Sequence, residues 1–237
     1  MSFFIKHNWL AISIDMELKT FEKYMNEMEN FIINQLHELD AQYSEEKKRC
    51  SSEEEATHIF EYQYENQFYY YENDFPHILR KSFIISLYSF LEQKLMEICK
   101  NLEYSNNKKL SLASMGSKGI FKYYKYLNEI ANVDLTSVKK EWHQIIKINK
   151  IRNHFVHDGN DLLDKILKPK NKEEYQTNKT LNAFIHFNLA VEDKQFTKVV
   201  KPQGKLKYST QISDEFCKEA LNIIKAFLKK LTHSVYG

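Results

Sequence analysis

The apolar positions of the first forty residues fall on a seam. Ile14, Leu18, Phe21, Met25, Met28, Ile32 and Leu39 are spaced by steps of four and three, with Gln35 filling the one missing step. Such alternation keeps one stripe of a helix turned toward one partner, as in a coiled coil. It predicts a helix over about residues 10–44, roughly 50 Å long at about 1.5 Å per residue. The charged, serine-rich stretch from Ser44 to Ser52 reads as a solvated turn. Glu53, Glu54 and Glu55 then place negative charge where the dipole of a second helix favours it, and Ile59, Phe60, Tyr64, Phe68 and Tyr71 follow. Together these two elements predict an antiparallel helical hairpin. The cluster Phe68-Tyr69-Tyr70-Tyr71 reads as hairpin core or interface, with base stacking as the functional alternative.

Asp74-Phe75-Pro76 signals a new helix start, an acid ahead of a proline suited to the first turn. Beyond it Ile84, Tyr88, Leu91, Leu95, Ile98 and Leu102 form one stripe, with Phe83, Leu87 and Phe90 beside it. Two stripes on one helix mean burial on a wide face, so this is the expected central helix of the core. A polar loop from Asn106 to Lys118 precedes a short helix over 120–131. Asp134 or Thr136 then caps a helix whose apolar side is Val138, Trp142, Ile145, Ile148 and Phe155, with Gly159 as its stop. Residues 160–179 are rich in lysine and asparagine. Alternation over Leu181–Val191, and the extended candidates Phe196–Val200 and Lys205–Tyr208, point to a small β element near 181–209. A last amphipathic helix starts near Ser213 and carries Phe216, Ala220, Ile223, Ile224, Phe227, Leu228 and Leu231. The expected class is all-α: an N-terminal hairpin over 1–75 and a helical core over 76–237.

Charge sharpens this picture. Residues 1–138 hold 15 basic and 21 acidic residues, a net of −6, whereas residues 139–237 hold 19 and 11, a net of +8. The positive half suits a polyanion partner, and equally a lysine-rich solvated surface. Cys50, Cys99 and Cys217 are odd in number and far apart, without metal-ligand spacing, which argues for a reducing compartment. No stretch approaches the ~20 apolar residues of a membrane span, and the N-terminus lacks a secretory signal, so a cytoplasmic protein is expected.

Candidate chemistry concentrates in Ile151-Arg152-Asn153-His154-Phe155-Val156-His157-Asp158-Gly159. Arg152 is one of three arginines, with Arg49 and Arg80, in a chain of 34 basic residues. Where lysine is the default cation, an arginine asks for a reason, and the usual one is a planar fork that grips phosphate through two hydrogen bonds.

The spacing Arg152-Asn153-three residues-His157 resembles the signature of the HEPN superfamily. The resemblance implies a small helical domain that pairs as a homodimer and acts as a metal-independent endoribonuclease, needing no cofactor. It implies that Arg152 and His157 are catalytic and that Asn153 supports them. It also implies that an acidic residue on the preceding helix faces the site, for which Glu92 is the candidate; His154 and Asp158 are further supporting candidates. By analogy such a chain is a bacterial toxin or anti-phage effector that cleaves tRNA or mRNA, restrained by an antitoxin or regulatory protein. Gly159 stands where many toxin members carry a tyrosine.

These residue types suit RNA cleavage. RNA carries its own nucleophile, the 2′-hydroxyl. A histidine titrating near neutral pH can move the protons, and an arginine, always charged, can hold the phosphorane. Positions 153 and 157 share a helix face, so Asn153 can orient His157. Positions 152 and 157 lie about 140° apart round a helix, so one helix does not readily aim both at one atom. Two such helices across a twofold axis can, which is an independent reason to expect a dimer. The alternative reading is a non-catalytic dimerisation or RNA-binding module whose hairpin docks a partner.

Overall fold

A computed structural model describes residues 3–106, 111–157, 162–163, 183, 186–187, 190–192, 208–210 and 212–237. Helix α1 spans Phe3–Lys47, about 68 Å at ~1.5 Å per residue. The predicted seam is its buried face: Leu10, Ile14, Leu18, Met25, Ile32 and Leu39 are all buried, with Phe21 packed at the margin. A short turn then reverses the chain. Ser52 caps α2 (Glu53–Ile59) by accepting a hydrogen bond from the Glu55 amide, while the Ser51 amide and hydroxyl donate to the Glu55 carboxylate.

The returning arm is helical throughout but not uniformly α. Its inner positions Ala56, Phe60, Tyr64 and Phe68 recur every four residues, and an α-helix over-rotates by roughly 40° at each such step. Two wide π-turns, Phe60–Tyr64 and Tyr70–Asp74, flank α3 (Glu65–Tyr69) and take up that excess by lodging an additional residue each. The inner rings therefore stay on α1: Tyr43 meets Phe60 at 5.1 Å and Tyr64 at 5.5 Å, and the Tyr71 hydroxyl donates to Gln35 Oε1 at 3.3 Å. The second π-turn also serves Pro76, which has no N–H to give: just before it, the Phe75 amide reaches back five residues to the Tyr70 carbonyl.

Helix α4 (Phe75–Asn106) continues the arm directly and is the central element. Phe83, Ile84, Leu87, Tyr88, Phe90, Leu91, Leu95, Ile98, Cys99 and Leu102 are all buried, so both predicted stripes are used. It packs against α1, α5 (Gly119–Lys125), α6 (Lys139–His157) and α7 (Asp214–Tyr236). The core also takes Leu10, Ile14, Leu18 and Met25 from α1, so the N-terminal half of that helix belongs to the bundle and its C-terminal half to the hairpin. Trp142 of α6 is the hub of the far end, stacked on Tyr124 at 4.0 Å and near Phe227 at 5.9 Å. Asp134 caps a 3-10 turn (Thr136–Val138) leading into α6, and Ser213 caps α7.

Between α6 and α7 lies a small antiparallel sheet of order β1-β3-β2: Leu162–Leu163, Tyr208–Thr210 and Ala190–Glu192. Leu163 and Glu192 both register with Tyr208. The expected β element thus exists, and part of the alternating run lies outside it. Ala183 and His186 are helical and Phe187 is in a turn, with Phe187 buried against Phe216 at 5.0 Å. An aromatic run supports a helical turn as readily as a strand when a neighbouring helix supplies its pocket. The candidate strand Phe196–Val200 lies outside the described residues.

The protein is therefore an all-α bundle with a long N-terminal hairpin and a minor sheet. Among the described residues no helix is long and apolar enough to cross a membrane.

Candidate functional site

The three arginines sit in three different settings. Arg49 is exposed in the hairpin turn. Arg80 is a structural clamp: Nε and Nη2 donate to the two oxygens of Glu29 at 2.7 Å each, and Nη1 donates to the Ile212 carbonyl at 3.1 Å. This ties α4 to α1 and to the start of α7, with Glu29 buried. The Arg80 guanidinium is held above its ordinary pKa, first by its bonds to Glu29.

Arg152 is different. Ile151 on one side and Phe155 one turn on are buried, and this packing sets Arg152 and Asn153 at the edge of the bundle, half-exposed. Its guanidinium lies over the ring of Tyr88 of α4, 5.3 Å from the centroid, within cation–π range. Nη1 donates to the Asn153 side-chain oxygen at 3.0 Å. Nε is buried and has no hydrogen-bond partner among the described residues, nor does any carboxylate there form an ion pair with this side chain. An aromatic face and one amide oxygen fix the fork without neutralising it.

Glu92 lies one turn after Tyr88 on α4 and is half-buried. It stands beside Gly119 at the start of α5, where a Cβ would come 3.5 Å from Glu92 Oε1. Gly119 has φ +58°, a conformation glycine adopts without strain. The Tyr88 phenol is pushed well above its ordinary pKa, first by burial and then by the nearby Glu92 charge, with Arg152 pulling the other way. Tyr123 is raised similarly, by burial first and Glu92 second. One corner of the bundle thus gathers Tyr88 and Glu92 from α4, Tyr123 from α5, and Arg152 and Asn153 from α6.

The other predicted residues fall elsewhere or out of reach. His157 is the last residue of α6; its side chain and all of Asp158 lie outside the described residues. Asn153, expected to orient His157, gives its oxygen to Arg152. His154 points into the bundle, 7% exposed, rather than toward solvent. Tyr88 was not singled out as a site residue from sequence. Its signal was a hydroxyl-bearing ring in an otherwise aliphatic stripe, one turn before the acidic candidate.

This corner thus presents a half-exposed guanidinium whose orientation is set by one aromatic ring and one amide oxygen. Among the described residues no group of His, Cys, Asp or Glu is placed to hold a metal ion. Comparison with family models, curated proteins and solved structures finds no match for the chain.

Proposed function

We propose that the chain is a metal-independent endoribonuclease working as a homodimer, with Arg152 holding the scissile phosphate and His157 moving protons. The observation that supports this reading is the condition of Arg152: a half-buried guanidinium, oriented by Tyr88 and Asn153, with a buried Nε lacking a hydrogen-bond partner among the described residues. The Nη groups at the exposed side of this residue keep N–H donors beyond the one given to Asn153, and a planar fork of such donors suits a phosphate. Arg80, in the same chain, has that role already filled by Glu29.

In the proposed reaction a histidine takes the proton of the RNA 2′-hydroxyl. The 2′-oxygen bonds to phosphorus and the bond to the 5′-oxygen breaks. A second histidine, from the other copy, protonates the departing 5′-oxygen. Arg152 steadies the charge on the phosphorane throughout. Glu92, one turn beyond Tyr88, is positioned to bias the local field. By the motif's resemblance, the biological role is that of a cytoplasmic bacterial toxin or anti-phage effector acting on tRNA or mRNA, restrained by an antitoxin or regulatory protein.

The test is RNA cleavage by purified wild-type, Arg152→Ala and His157→Ala protein in EDTA. Each variant should lose roughly 100- to 10,000-fold in rate. Arg152→Lys should also be impaired, because an ammonium lacks the planar fork. Equal activity in all the proteins would remove the proposal. Harmless expression of the wild type, with RNA bound and uncut, would establish the non-catalytic alternative.

A further inference from the structure

The outer face of the hairpin's second arm carries chemistry that neither the core nor the Arg152 corner uses. From Cys50 to Leu79 there is no lysine or arginine, while seven carboxylates occur: Glu53, Glu54, Glu55, Glu61, Glu65, Glu72 and Asp74. In a chain with 34 cations, thirty consecutive residues without one stand out. The same face exposes its aromatics: Tyr62 is 81% exposed, Tyr69 55%, Tyr70 46% and Phe75 43%.

This exposure is built into the arm. The inner rings Phe60, Tyr64, Phe68 and Tyr71 are committed to α1 or to one another, which turns the outer rings away from the fold. The outer rings meet mainly each other. His58 and Tyr62 stack at 6.4 Å, Tyr69 and Tyr70 meet edge-on at 6.5 Å, and Tyr70 stacks with Phe75 at 5.8 Å. Tyr62, Glu65, Tyr69 and Glu72 are all exposed, so rings and carboxylates share a broad outward stripe of the arm. Among the described residues no cation pairs with Glu61, Glu65 or Glu72.

We propose that this stripe is a docking surface for a lysine- or arginine-rich segment of a protein partner. Aromatic faces attract cations, carboxylates pair with them, and this surface exposes both with no lysine or arginine from residue 50 to residue 79. The charge argues against nucleic acid, because phosphates would be repelled where the rings invite base stacking. It also argues against an apolar partner, which would have to desolvate the carboxylates. This proposal stands apart from the nuclease reading and does not depend on it.

The experiment uses the full chain and fluorescein-labelled deca-lysine, deca-arginine and deca-glutamate peptides, with binding followed by anisotropy at about 0.15 M salt. The basic peptides should bind and deca-glutamate should not. The triple variant Tyr62→Ser, Tyr69→Ser, Tyr70→Ser keeps the charge and should bind roughly tenfold more weakly. The variant Glu61→Gln, Glu65→Gln, Glu72→Gln keeps the rings and should weaken binding and flatten its salt dependence. Thermal melts matching the wild type show that the variants fold; should the tyrosine variant melt early, Tyr62→Ser alone replaces it. Unchanged affinity after loss of the rings would reduce the surface to diffuse charge and overturn the proposal. So would the absence of any binding to basic peptides, or conversion of a wild-type dimer to a monomer by the tyrosine variant without loss of peptide affinity.

Discussion

Two arginines of one chain stand in contrasting surroundings, one paired with a carboxylate and one not paired with any among the described residues. Arg80 spends its fork on Glu29, and removing it would leave a buried carboxylate uncompensated. Arg80→Ala is therefore expected to destabilise the fold by about 2–4 kcal/mol, read from the urea midpoint. Arg152 makes one weak cation–π contact and one hydrogen bond, and holds a buried Nε without a partner among the described residues. Arg152→Ala should leave stability within about 1 kcal/mol of the wild type, since the lost contacts and the relieved Nε nearly offset each other. A loss as large as that of Arg80→Ala would show Arg152 to be a structural clamp. The sequence marked both as rare cations in a lysine-rich chain. It could not say which would meet a carboxylate, because Glu29 lies 51 positions away and only the packing of α4 on α1 brings them together.

At the scale of elements, periodicity made the long helices legible and misjudged how the arm is wound. The seam of α1, the double stripe of α4 and the faces of α6 and α7 all appear where steps of three and four placed them, because each buries a continuous stripe against a neighbour. The steps of four from Ala56 to Phe68 were visible as well, but a heptad reading passes over them, and the structure resolves them with π-turns. The β element was legible only in part: strands occur at Ala190–Glu192 and Tyr208–Thr210, but Ala183 and His186 are helical, because alternation over a few aromatic residues does not separate strand from helical turn until the neighbouring helix is known. The winding of the arm is itself testable. Deleting Gln63 from the first π-turn would space the inner residues by four, three and four, an ordinary α-helical seam. Five π residues and four α residues rise by nearly the same length, so α4 would keep its place. The deletion should therefore change the melting temperature by no more than about 2–4 °C, the equivalent of ~1 kcal/mol in a chain of this size. Removing Leu91 from the α-helical middle of α4 should abolish the cooperative transition, since every core residue beyond it would rotate by about 100°.

For the whole molecule, the decisive question is whether one chain or two make the proposed site. Arg152 faces Tyr88 at the bundle edge, and His157 follows about 140° further round the same helix. A phosphate held by the fork of one copy is then more readily reached by the histidine of the other. In a twofold groove containing two arginines and two histidines, a mixed pair of Arg152→Ala and His157→Ala chains still holds one intact arginine and one intact histidine. Co-expressed and purified through different tags, this heterodimer should regain RNA cleavage well above either variant alone, though below wild type because the second histidine is missing. Sedimentation should give a particle of twice the 28.4 kDa chain for all the forms. If both groups act within one chain, each half of the mixed pair lacks one of them, and mixing restores nothing. Cleavage by a strictly monomeric wild type would likewise confine the chemistry to a single α6, and the helix end would then have to turn His157 back toward the Tyr88 corner.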